Sequence, residues 1–132
     1  MRERLMYVEA KARGHAGEAW VGLVSFSKTG ATLYFNGRAY RTLNGSCYTA
    51  NYCDVETGEP FWISGVKKRG TNRHPFGSGV IKVDRRAVSA LLERLSAVAF
   101  DCSRYVVGDA ADTSGRRAEW HEQENARLAD DS

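Results

Sequence analysis

Apolar and polar positions alternate early in the chain. Over residues 4–11, Met6, Val8 and Ala10 fall on one side and Tyr7, Glu9 and Lys11 on the other, the two-residue period of a β-strand. A loop over 12–18, with Gly14, His15 and Gly17, separates it from AWVGLVSFS at 19–27, the best strand candidate in the chain. There Trp20, Gly22, Val24 and Phe26 share one face, and Val21, Leu23 and Ser25 the other. Apolar residues on both faces imply a strand covered twice. Gly22 inside it marks a bend or bulge of the kind small barrels use at corners. Ser27-Lys28-Thr29-Gly30 turns the chain into a strand over 31–35, and Asn36-Gly37 turns it back into 38–43. Asn-Gly is a strong hairpin signal because both turn residues must accept positive φ. After Asn44-Gly45-Ser46, an aromatic hairpin follows, with arms over 49–55 and 61–66 and Glu56-Thr57-Gly58-Glu59 as its turn.

The period then changes. Beyond a loop over 67–79 and a short strand over 80–83, Val88, Leu91, Leu92, Leu95 and Val98 recur at helical spacing, with Arg85, Arg86, Glu93 and Arg94 facing elsewhere. The spacing predicts an amphipathic helix over about 85–99, with Asp84 as its N-cap, set to plug one end of a barrel or cover its open face. Residues 100–107 add a last strand or an extended tie. Residues 108–115 (GDAADTSG) have linker composition. The stripe beyond them (Ala118, Trp120, Ala126, Leu128, Ala129) is too thin to hold a helix alone, so a marginal helical or disordered tail is expected. Short strands this closely spaced read as a mainly β fold: a small SH3-like barrel or strongly bent antiparallel meander, one C-terminal amphipathic helix and a loose tail. Closure would remove the exposed edges of so apolar a sheet. The expected organisation is one domain over 1–107, then linker and tail over 108–132.

Composition narrows the setting. A chain of 132 residues, 42% hydrophobic, can bury a single core without disulfide staples. It has no run of about 18 apolar residues to span a membrane, and no apolar signal core near its start. Three cysteines (Cys47, Cys53, Cys102) without a secretion signal imply reduced thiols and a cytoplasmic location. Structural zinc prefers closer cysteine pairs than Cys47 and Cys53, so a zinc site from these two and His74 is not expected. No metal or cofactor is assigned. Charge is unevenly placed: 15 Lys and Arg against 8 Asp and Glu through Phe100, then 4 against 8 from Asp101. A basic body with an acidic tail suits an anionic partner with which the tail competes.

The candidate chemistry lies in VKKRGTNRHP. Lys67, Lys68, Arg69, Arg73 and His74 fall within eight residues, and the neighbouring glycines let backbone N–H groups approach a phosphate. Phe61 and Trp62 before the loop and Phe76 after it offer stacking faces to bases. The candidate nucleic-acid site is therefore Lys67, Lys68, Arg69, Arg73, His74, Trp62 and Phe76. The same residues also fit a plain solvated loop whose aromatics belong to the core. Asp54, Glu56 and Glu59 at the hairpin turn would mute the site if they paired with its cations. Catalysis finds little support. Ser64-Gly65 lacks G-x-S-x-G, Gly30-Ala31 lacks the P-loop pattern, and Cys53 sits in a strand arm where packing is its ordinary use. The leading expectation is a non-enzymatic module that binds nucleic acid or another polyanion. The alternative is a protein-interaction module or homo-oligomer that uses Tyr34, Tyr40, Tyr48 and Tyr52 as exposed tyrosines, together with the tail.

Three stretches carry a resemblance: GLVSFSKTGATLYFNGRAYRTLNG, YCDVETGEPFWISGVKKRGTNRHPFGSG and IKVDRRAV. From roughly Tyr7 to Val88 the chain resembles a family of small uncharacterised bacterial proteins. That family shares a pattern like G-x-V-x-F-S-K-T-G followed by D-V-E-T-G-E-x-F-W-I-S-G-x-K-K. Its members often carry a thiamine-dependent synthase label, but this chain is shorter than such an enzyme needs and shows no motif for that cofactor. The resemblance marks a family and implies no activity.

Overall fold

The computed structural model describes residues 2–12, 17–43, 50–68 and 79–113. Six strands alternate in direction: β1 (Glu3–Ala10), β2 (Ala19–Phe26), β3 (Thr32–Phe35), β4 (Arg38–Thr42), β5 (Tyr52–Asp54) and β6 (Pro60–Gly65). Each pairs antiparallel with the next, and β1 also pairs with β6 from Met6↔Gly65 to Ala10↔Phe61, which closes a six-stranded barrel. The expected small barrel is thus the fold. Pro60 opens β6, the strand position that tolerates a missing N–H. Asn36 (φ 54) and Gly37 (φ 72) form the β3–β4 turn as their pairing predicts.

The barrel interior is filled by one face of each long strand: Met6 and Val8 from β1, Trp20 and Val24 from β2, Leu33 and Phe35 from β3, Tyr40, Phe61 and Ile63. Gly22 belongs to this face for lack of room. A Cβ there would lie 2.1 Å from Phe35 Cε1, so the Phe35 ring packs directly on the β2 backbone. The opposite faces of β1 and β2 form a second apolar layer with Tyr7, Ala19, Val21 and Val66. This double covering is what the sequence of β2 implied. The outer layer contains buried polar groups: on β1, Glu9 accepts from the Tyr7 hydroxyl and pairs with Lys11 Nζ at 2.6 Å.

β2 changes partner along its length. Its C-terminal end pairs with β3 (Ser25↔Tyr34, Phe26↔Leu33), while its start pairs parallel with β7 (Ile81–Asp84) through Trp20↔Lys82 and Val21↔Val83. A further parallel strand, β8 (Tyr105–Gly108), extends β7. The barrel wall is therefore parted between the first half of β2 and the β3–β4 hairpin. Residues 109–111 cross toward that hairpin as a strap, with Ala111 N donating to Asn36 Oδ1 at 2.8 Å.

The helix differs from expectation. A 3-10 turn (Arg85–Ala87) leads into α1 (Val88–Leu95), and Ser96 ends it in the left-handed region at φ 53. Val98, assigned to the apolar stripe by spacing, lies beyond the stop and is fully exposed. Asp84 makes no side-chain cap bond; it is a buried strand residue whose Oδ1 accepts from Ala110 N at 3.4 Å and whose Oδ2 pairs with Arg86 at 3.2 Å. Leu91 is fully buried in the outer layer, so α1 covers the outside of β1 and β2 rather than plugging an end. Among the described residues no helix is long and apolar enough to cross a membrane.

Candidate functional site

The strand register sorts charge to the two ends of the barrel. One end gathers the start of β1 and the ends of β2, β4 and β6, and with them Arg2, Arg4, Lys28, Arg41, Lys67 and Lys68. Arg94 of α1 joins them, since its Nε donates to Val66 O at 3.0 Å. Among the described residues Glu3 is the one acidic strand-end residue beside them. Arg2, Arg4, Lys28, Lys68 and Arg94 are exposed, and none forms an ion pair among the described residues. The Arg2 guanidinium lies over the Phe26 ring at 5.5 Å, which holds it at the rim.

The sequence-predicted site is only partly assembled there. Lys67 and Lys68 are exposed immediately after β6. Trp62 is half-buried against the outer apolar layer, opposite Glu9 of β1 and five residues before Lys67. At about 3.3 Å per strand residue that is roughly 16 Å away, so Trp62 does not stand beside the lysines. Phe61 points into the barrel and is 6% exposed, which removes it as a stacking face. Arg69, Arg73, His74 and Phe76 lie outside the described residues, as do Cys47, Tyr48 and the tail from residue 114. Asp54, Glu56 and Glu59 sit at the far end of β6 from Lys67 and Lys68. There Asp54 Oδ1 accepts from Glu56 N (2.7 Å) and Thr57 N (3.2 Å), the ordinary work of a turn aspartate. Two of the four tyrosines read as exposed are core: Tyr34 and Tyr40 are each 1% exposed, and Tyr52 is half-buried. Tyr40 fills the barrel interior, while Tyr34 is buried on the opposite face with Ala39 and Val55; β3 and β4 are covered on both sides, which a short strand does not announce. Sequence reading missed Arg2, Arg4, Lys28 and Arg94 as site residues. Scattered through the chain, they come together only through the register.

At the other end, the gap beside the first half of β2 opens a cleft of about 270 Å³. Trp20, Phe35, Tyr40 and Phe61 line it, with Glu18, Arg38 and Glu59 at its rim. Trp20 and Phe35 meet edge to face at 6.1 Å, and Tyr40 and Phe61 at 4.9 Å. The described cations at this end are engaged. Arg38 Nη1 pairs with Asp54 Oδ2 at 2.7 Å and lies over Phe61 at 5.4 Å. Lys82 Nζ meets Glu18 Oε1 at 3.0 Å and lies over Trp20 at 5.4 Å. Trp20 Nε1 donates to the same Glu18 oxygen at 2.6 Å.

These contacts set the protonation of the cleft. Burial pushes the Glu18 carboxyl up, but its bonds from Lys82 and Trp20 outweigh that and hold it below the usual carboxylate range. Burial likewise pulls Arg38 down, and the bond to Asp54 outweighs it, leaving the guanidinium above its ordinary value. Burial alone dominates at Tyr40 and lifts its phenol well above the usual value.

A wider groove of about 570 Å³ runs beneath the strap, but its cations are spent on neighbours: Arg85 pairs with Asp109 at 3.0 Å and Arg86 with Asp84. Among the described residues no group of three His, Cys, Asp or Glu side chains is placed to hold a metal, and Cys53 and Cys102 are free thiols. Comparison with protein-family models, curated proteins and solved structures finds no match to the chain.

Proposed function

We propose that this protein is a nucleic-acid-binding module that meets the phosphate backbone with the basic end of its barrel and with the cationic segment that follows Lys68 in the sequence. One observation carries the reading: Arg2, Arg4, Lys28, Lys68 and Arg94 converge on one barrel end, exposed and without ion pairs among the described residues, while the acidic turn lies at the other. Unneutralised cations clustered on one face are the electrostatic footprint of a phosphate-binding surface. Arg69, Arg73 and His74 follow Lys68 directly in the sequence. Trp62 takes no part, because its ring is committed to the outer layer. The free thiols of Cys53 and Cys102 accord with a cytoplasmic setting, where nucleic acid is at hand. The interaction-module alternative is weakened by the burial of Tyr34 and Tyr40.

Fluorescence anisotropy with a labelled duplex and a labelled single strand at low salt tests the proposal. Reversing Arg4, Lys28 and Lys68 to glutamate should abolish binding to both, because phosphate contacts carry no base code. Glu56→Gln, at the opposite end, should leave affinity within about twofold, the scale of a surface change remote from the contact. A folded triple variant that binds as well as the wild type would overturn it.

A further inference from the structure

We propose that the cleft at the acidic end of the barrel is a second site, built to take a small organic cation: an ammonium or guanidinium head on a short aliphatic stem. Three features converge on that chemistry.

The first is a hydroxyl at the cleft wall. Tyr40 is 1% exposed and lines the cleft, and no hydrogen bond among the described residues engages its hydroxyl, so it can accept from an N–H there.

The second is charge. Around the cleft stand Glu18, Asp54 and Glu59 against Arg38 and Lys82. Arg38 is committed to Asp54 at 2.7 Å and reaches Glu59 only at 4.0 Å. Both donors to Glu18 use Oε1, leaving Oε2 for a ligand. Among the described residues, an anion entering here would face two carboxylates and cations already paired, whereas a cation would find two acceptors.

The third is the walls. Trp20 and Phe61 already hold Lys82 and Arg38 over their rings at 5.4 Å each, so these faces accept positive charge. The volume sets the size. About 270 Å³ is roughly nine times a water's share of about 30 Å³, room for a butylammonium or an arginine-like side chain but not for a nucleotide. The site is therefore independent of phosphate binding at the other end.

Nuclear magnetic resonance titration of the full chain tests this, with n-butylammonium, n-butylguanidinium, pentan-1-ol and valerate as probes. The reporter is the Trp20 indole N–H, assigned through Trp20→Phe. The cations should bind at millimolar concentration and shift that resonance. Pentanol, of the same shape without the charge, should bind about tenfold more weakly, and valerate not at all. Tyr40→Phe removes only the hydroxyl and should weaken the amine about fivefold, and Glu18→Gln about as much, with melting temperatures confirming that both are folded. N-acetyl-lysine methylamide separates the sources. Tighter binding than butylammonium supports the proposal with a protein side chain as natural ligand, and weaker binding supports it with a free amine. The proposal is overturned if pentanol or valerate binds as well as the amines, if shifts fall outside the cleft, or if both folded variants bind as the wild type does.

Discussion

Gly22 shows how one residue decides the barrel's shape. Phe35 occupies the space a side chain would need, so Gly22→Ala must displace either the ring or the β2 backbone. It should cost about 1–3 kcal/mol, the usual range for overpacking, read as a lower urea midpoint at unchanged slope. An unaltered midpoint would mean that Phe35 can turn aside freely. Glu18 makes a prediction in pH. Its carboxyl is depressed in the folded protein, so its contribution is present above the ordinary carboxyl range and is lost as pH falls through the lower folded value. Glu18→Gln should flatten the acid limb of the stability profile below about pH 4.5, by well under 1 kcal/mol for so exposed a pair. An acid limb that does not change would show that Trp20 and Lys82 do not hold that carboxylate in solution. At this scale the sequence was informative about Gly22, flagged as a bend by its place in an apolar strand. It was silent about Glu9 and Lys11, whose polar side chains are buried together beside Tyr7. Alternation says which residues share a face, not whether that face is covered.

At the scale of elements, six barrel strands were legible because each is short, alternating and bounded by turn residues. The helix was legible in kind and less so in extent, since its stop rests on Ser96 adopting a left-handed backbone that glycine or asparagine would have signalled. Its position was not legible, because it depends on β2 leaving β3 for β7, a choice made by contacts distant in sequence. The strap was read as linker for a related reason. Ala110 and Ala111 bind through backbone N–H groups, to Asp84 and Asn36, and every residue but proline has those to offer. Ending the chain at Val107 should therefore cost about 1–3 kcal/mol, from two lost hydrogen bonds, one of which leaves the buried Asp84 without that donor. Equilibrium urea unfolding reads it directly. A shortened chain with the full-length midpoint would return the segment to the status of linker.

Among the described residues the barrel is polarised from end to end, basic at one and acidic at the other. A single basic loop was visible in the sequence, and the excess of cations through Phe100 hinted at more. What could not be read was that Arg2, Lys28 and Arg94 share an end with Lys68, since that follows from barrel closure and from Arg94 reaching Val66. The salt dependence of binding to duplex DNA tests this arrangement most directly. If four or five of these cations meet phosphates, log Kobs against log salt should slope at about −3 to −5, from about −0.9 for each. Replacing Arg4 and Lys68 with alanine should flatten it by roughly two while the protein stays folded. No binding at low salt, or a folded double variant with the wild-type slope, would contradict the account.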